Sequence, residues 1–256
     1  MPRDIVRRRQ LRVREFVMIA VMSAITVLGN LLSFPVIPLQ AGTGMVIICG
    51  IAFGPWVGAI IGMLSRLIVN FFTGQGVWTI WQMLSWGLLG AISGAVFAKV
   101  DIEAPRSRNF KMLIGPISAV LVMEIVAYIS YLLWSNKEST FFGWRLYAFG
   151  FIGLIIGALI LRKRMPADDV TLAVFTLMVV FIIYGGIMNI GTMFMSAMST
   201  EEVSWDALKL LYITGAPFDI WHAVRAALFV FFFGNAILTK LERVKIKYGF
   251  YRINRI

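Results

Sequence analysis

Cysteine and histidine each occur once, as Cys49 and His222. A lone cysteine excludes an intrachain disulfide, and one Cys with one His excludes a conventional Cys/His metal site. No Gly-rich phosphate loop ending in Lys-Ser/Thr is present, nor His-Glu-x-x-His, nor Gly-x-Ser-x-Gly. If the chain moves a solute at the expense of ATP, the ATPase is therefore another subunit. Charge is sparse, at 14% of residues, and acids are outnumbered by bases, 13 to 24.

What fills the chain instead is apolar side chain, 59% of 256 residues. Apolar segments lie near residues 16–34, 44–53, 56–72, 78–98, 112–134, 146–161, 170–196 and 216–239. This is the composition of an all-α, polytopic transmembrane bundle. The net charge of +11 does not point to nucleic acid, because the basic residues stand in short blocks at the ends of apolar runs. The basic start followed by an apolar run imitates a signal peptide. The run Phe16 to Phe34 is too long for that, and Leu39-Gln40-Ala41 is not a small-x-small cleavage site, so it reads as a first transmembrane helix.

Charge also settles whether residues 45–72 are one helix or two. Two segments, with a turn at Phe53-Gly54-Pro55-Trp56, put every basic residue except Arg66, Lys137, Arg145, Lys209 and Arg225 on one side. One segment would break the positive-inside pattern. The reading is eight segments with both termini cytoplasmic: a basic arm over 1–15, a transmembrane domain over 16–239, and a basic tail over 240–256. Gly50, Gly54, Gly58 and Gly62 recur every four residues around Pro55, which suits a tight hairpin packed against neighbours.

The stretch Asn70 to Gly90 places amides, hydroxyls and tryptophans between two apolar segments. Gln75, Thr79 and Gln82 supply neutral donors and acceptors, suited either to a ligand with amide or heterocycle edges or to local and interhelical bonds. Trp78, Trp81, Trp134, Trp144, Trp205 and Trp221 fall near the outer face and only Trp56 near the inner one, which favours an aromatic-lined outer cavity over an interfacial belt. A second constellation, Gly215 to His222, opens the last span, with Pro217 fitting a first helical turn and Asp219 favoured by the helix dipole. Ser204 to Ile213 reads as a separate interfacial helix or lid. Arg66, Glu124 and Arg225 fall inside spans, so Glu124 or Asp219 is expected to neutralise one of the arginines.

These residues resemble the substrate-binding S components of energy-coupling factor (ECF) vitamin transporters. The resemblance rests on Asn70 through Gly87, on Phe53-Gly54-Pro55-Trp56-Val57-Gly58, on Gly215 through Ala223, and on the ending Leu241-Glu242-Arg243 to Lys247-Tyr248. It covers about residues 12–98 and 170–248, leaving the spans over 112–161 as an extra helical hairpin on an S-component-like core. It implies a non-enzymatic subunit, without cofactor or metal, that captures a vitamin at its outer face. A transmembrane coupling subunit and two ATPases complete the transporter. The pocket is expected from the outer loops after the first, third and seventh segments and the outer halves of the fourth, seventh and eighth. Asn70, Gln75, Trp78, Trp81, Gln82, Asn189, Asp219 and His222 are the expected liners. Ala20 and Ala24 fit the Ala-x-x-x-Ala surface of the family's first helix, and with Gly50, Gly54, Gly58 and Gly62 they are candidates for contact with the coupling subunit. A corrinoid is one reading of the vitamin and a small heterocycle another. The rival readings are a stand-alone secondary transporter and an intramembrane enzyme using Asp219 and His222.

Overall fold

A computed structural model describes residues 13–33, 39–97, 110–134, 143–161, 168–200 and 203–248. Among them the chain forms α1 (Val13–Ser33), α2 (Ala41–Phe53), α3 (Pro55–Thr73), α4 (Trp78–Val96), α5 (Phe110–Trp134), α6 (Gly143–Leu161), α7 (Asp169–Val179), a π-helical segment Val180–Gly185, α8 (Gly186–Thr200) and α9 (Trp205–Tyr248). No strand occurs among the described residues, as a bilayer solvent that cannot satisfy open strand edges requires. Among the described residues, four stretches are long and apolar enough to cross a membrane: Val13–Leu32, Pro55–Thr73, Asp169–Met198 and Trp205–Tyr248. Span hydroxyls are satisfied locally: Thr26, Ser85, Ser93, Thr176 and Thr192 each donate to the carbonyl four residues back.

Residues 45–72 are two helices, as the charge pattern indicated. Gly54 makes the break with φ 90° and ψ 173°, a region essentially reserved for glycine, and Pro55 starts α3 where its missing N–H costs nothing. No atom would touch a Cβ on Gly54, so its constraint is conformational alone. Gly54→Ala is expected to cost about 1–3 kcal/mol, read as a lowered melting temperature of the purified chain with its helical content preserved.

The remaining glycines of this hairpin serve close approach. A Cβ on Gly50 or Gly58 would collide with the Gly90 carbonyl, one on Gly62 with the Trp86 carbonyl, and one on Gly90 with the Gly58 carbonyl. Helices α2, α3 and α4 therefore meet backbone to backbone, the geometry that small residues permit in membranes. Of the glycines expected to contact the coupling subunit, Gly50, Gly58 and Gly62 turn toward neighbouring backbone within the chain, and Gly54 makes the turn. Ala20 and Ala24 do lie exposed on α1, among exposed Phe16, Val17, Val21, Ile25, Leu28 and Leu32.

Two corrections concern the C-terminal part. The separate interfacial helix does not exist: Ser204 accepts from Ala207 N (3.2 Å) at the start of α9, which runs uninterrupted through Pro217 and the last apolar span into the basic tail as far as Tyr248. Asp219 accordingly stands roughly four turns inside a helix rather than beside an N-terminus, so the dipole does not hold it. The 112–161 region forms the hairpin α5–α6, whose second arm packs on the π-helical segment and on α9.

Candidate functional site

The end of the bundle that carries the α3–α4 turn gathers the polar side chains. Arg66 and Asn70 are one turn apart on α3, and Thr79, Gln82 and Trp86 follow at three- and four-residue steps on α4, so each helix turns one polar stripe toward the other. Asn70, only 1% exposed, donates through Nδ2 to Thr79 Oγ1 (2.9 Å) and Gln82 Oε1 (2.8 Å), and Arg66 Nε donates to the same Gln82 oxygen (3.0 Å). Thr79 donates to Gln75 Oε1 (3.0 Å), while Gln75 Nε2 reaches back to the Leu67 carbonyl (3.3 Å). The Arg66 guanidinium lies 5.3 Å from the centre of the Trp86 ring, a cation–π contact. Two buried atoms of this network have no hydrogen-bond partner among the described residues: Asn70 Oδ1 and Trp86 Nε1.

A second group centres on Asp219. Its Oδ2 accepts from Tyr147 OH (2.6 Å) and from Asn189 Nδ2 (2.9 Å). Asn189 also donates to the Gly185 carbonyl (2.9 Å), and Tyr212 OH to the Gly186 carbonyl (3.2 Å). These bonds serve backbone acceptors where the widened π-turn returns to α-helix. Gly185 allows the approach, since a Cβ there would lie 2.6 Å from the Asp219 carboxyl carbon. His222, on the same helix, bonds Thr43 Oγ1 of α2 through Nε2 (2.9 Å), and its ring stands 4.4 Å from that of Tyr184.

Of the expected liners, Asn70 and Gln82 sit in the first network and Asn189, Asp219 and His222 in the second. Gln75 is exposed and ties down the α3–α4 turn. The tryptophans divide: Trp81 stacks on Phe194 (5.5 Å), whereas Trp78, Trp205 and Trp221 are exposed, as in a belt. The side chain of Trp134, most of the first outer loop (34–38) and Glu201 with Glu202 lie outside the described residues. The expected neutralisation of Arg66 by Asp219 is not found, since the donors around Asp219 are neutral and Arg66 bonds the neutral Gln82. Asp219 and His222 also point to different partners, which removes the dyad.

Sequence reading missed Trp86, Tyr147, Tyr184 and Thr43. Trp86 was legible in principle, as the third member of the stripe Thr79, Gln82, Trp86. Tyr147 lies on the hairpin, and nothing local announces that it reaches Asp219, 72 residues away.

The family model for the ECF-type riboflavin transporter S component matches residues 10–142, more than half of the 256. The chain belongs to that family. An S component is the substrate-binding membrane subunit of a vitamin transporter and not an enzyme. In this S component the matched stretch contains the Arg66–Asn70–Gln82–Trp86 network and runs through α5, while Tyr147, Tyr184, Asp219 and His222 lie beyond it. No curated protein and no solved structure matches the chain.

Tyr147→Phe isolates the contribution of the hairpin. It removes one of two donors from a partly buried carboxylate, and is expected to cost about 1–3 kcal/mol. The check is thermal melting of the purified S component. An unchanged melting temperature would show that the hairpin's bond to Asp219 contributes nothing to stability.

Proposed function

We propose that this S component captures riboflavin at the outer face of the membrane and passes it to a transmembrane coupling subunit driven by two ATPases. The observation that carries the reading is the Arg66–Asn70–Trp86 set, lying inside the stretch matched by the riboflavin family. A flavin presents an imide edge, with an N–H between two carbonyls. Terminal N–H groups of Arg66 and the indole N–H of Trp86 are donors for the carbonyls, and Asn70 Oδ1 is an acceptor for the N–H. A phosphate or carboxylate would have no use for the acceptor. Aromatic rings of Trp86, Tyr184 and His222 offer stacking surface of the kind a planar tricycle requires.

Orientation follows from charge. In the sequence the basic blocks at 1–15, 99–111, 162–164 and 240–255 alternate with the segment ends that flank the α3–α4 turn, and the positive-inside rule supports the reading that this turn and its polar network face outward. Trp78, Trp205 and Trp221 are exposed rather than gathered around a cavity, which favours a smaller planar heterocycle over a corrinoid.

Mass spectrometry of ligand carried through purification, with titration of riboflavin fluorescence, tests the substrate. Retained riboflavin and quenching at one equivalent support the reading; a retained corrinoid would replace it. Copurification with a coupling protein and two ATPases tests the assembly, whereas uptake by the chain alone in proteoliposomes would favour a secondary transporter.

A further inference from the structure

A cavity of about 690 Å³ lies beside the Asp219 group and away from the Arg66–Asn70 network, between α6 and the side of the bundle formed by α4, the π-helical segment, α8 and α9. Leu88 and Ile92 of α4 form one wall, Ala148 and Phe151 of α6 the other, and Ile183 with Ile187 belong to the face between them. Its polar side chains are few and committed. Tyr147 OH donates to Asp219 and Tyr212 OH to the Gly186 carbonyl. The interior therefore offers no free side-chain hydroxyl to a polar ligand, which excludes a sugar, a nucleotide or the ribityl chain of a flavin.

One end is different. Trp144, Trp205 and Lys209 border the cavity there, and Arg145 stacks 4.9 Å from the Trp144 ring. Lys209 bonds Asp206 (2.6 Å) in an exposed pair, a contact that uses one of three ammonium donors and holds its partner weakly. Exposed tryptophans with basic side chains are the chemistry of a membrane–water interface. From that end the lining runs along α6 from Trp144 to Phe151, roughly 10 Å at helical rise. This is within the depth of a single leaflet, about half of a ~30 Å hydrocarbon core.

We propose that this cavity binds one phospholipid with an anionic headgroup, its acyl chain lying between α4 and α6 and its phosphate at Lys209. Tyr147 lines the cavity with its ring and holds Asp219 with its hydroxyl, so the lipid tail packs against the side chain that joins α6 to the Asp219 group. Helix α6 and the α4, α8 and α9 side of the bundle are thereby bridged by lipid as well as by protein.

The test is native mass spectrometry of the full chain released from nanodiscs containing equal phosphatidylglycerol and phosphatidylethanolamine. Wild type should retain one phospholipid, predominantly phosphatidylglycerol. Ala148→Phe, which fills the cavity, should lower the retained fraction at least tenfold. Lys209→Gln, on an exposed position that leaves the packing intact, should retain lipid but lose the preference for phosphatidylglycerol by threefold or more. Retention of no phospholipid by wild type, equal retention by the filled variant, an unchanged headgroup preference in Lys209→Gln, or displacement of the lipid by stoichiometric riboflavin would each overturn the proposal.

Discussion

Gly90→Val is expected to abolish folding of the S component in the membrane. The first side-chain atom would have to occupy the position of the Gly58 carbonyl, and on the reciprocal side a Cβ on Gly58 meets Gly90 and Gly50. Overpacking a core of flexible side chains costs about 1–3 kcal/mol because neighbours can rotate away. A backbone carbonyl inside a helix cannot rotate away, so three helices must separate. The loss should exceed about 4 kcal/mol, the range reserved for failures with a named steric cause. Gly87→Ala is the control on the same helix: its added methyl meets the side chain of Met63, which is long and adjustable, so expression should survive. Fluorescence-detected size exclusion of both variants gives the answer, and a monodisperse Gly90→Val peak at wild-type yield would overturn the close-packing account.

Arg66→Leu is expected to separate binding from stability. If Arg66 supplies hydrogen bonds to the ligand, riboflavin affinity should fall about a hundredfold or more, since a charged hydrogen bond is worth about 1.5–3 kcal/mol and each 1.4 kcal/mol is a factor of ten. The ligand-free variant should nonetheless melt no lower than wild type. Arg66 bonds a neutral amide, so its removal ends the cost of holding a cation inside a span and leaves Gln82 still accepting from Asn70. Titration of flavin fluorescence and a melting curve without ligand measure the two halves. A lowered melting temperature together with unchanged affinity would make Arg66 a packing residue.

Much of the fold could be read from the sequence because its cause is solvation. Apolar runs and blocks of Arg and Lys separate spans from ends, and the same bookkeeping divided residues 45–72 correctly at Gly54. The continuity of α9 was not legible, because Gly215 and Pro217 are strong local breakers and tertiary packing overrode them. Half of the site was visible for a similar reason. Asn70 and Gln82 are amides in apolar surroundings and stand out, whereas Trp86 and Tyr184 look like core. What draws Tyr147 to Asp219 is a hydrogen bond between distant helices, which no local pattern encodes.

Helix α9 carries Asp219 and His222 near one end of the bundle and Lys245 and Lys247 at the other. Beyond Pro217 it continues as one helix for 31 residues, Phe218 to Tyr248, where the Tyr248 carbonyl accepts from Arg14 at the start of α1 (3.1 Å). At helical rise that is roughly 45 Å of stiff rod. Such a rod works as a lever: a rotation small enough to be absorbed by the hydrogen bonds at Asp219 becomes a sideways displacement of its far tip, enlarged in proportion to length. A tilt of α9 about Asp219 is therefore best read at its far end, by a spin label at Lys247.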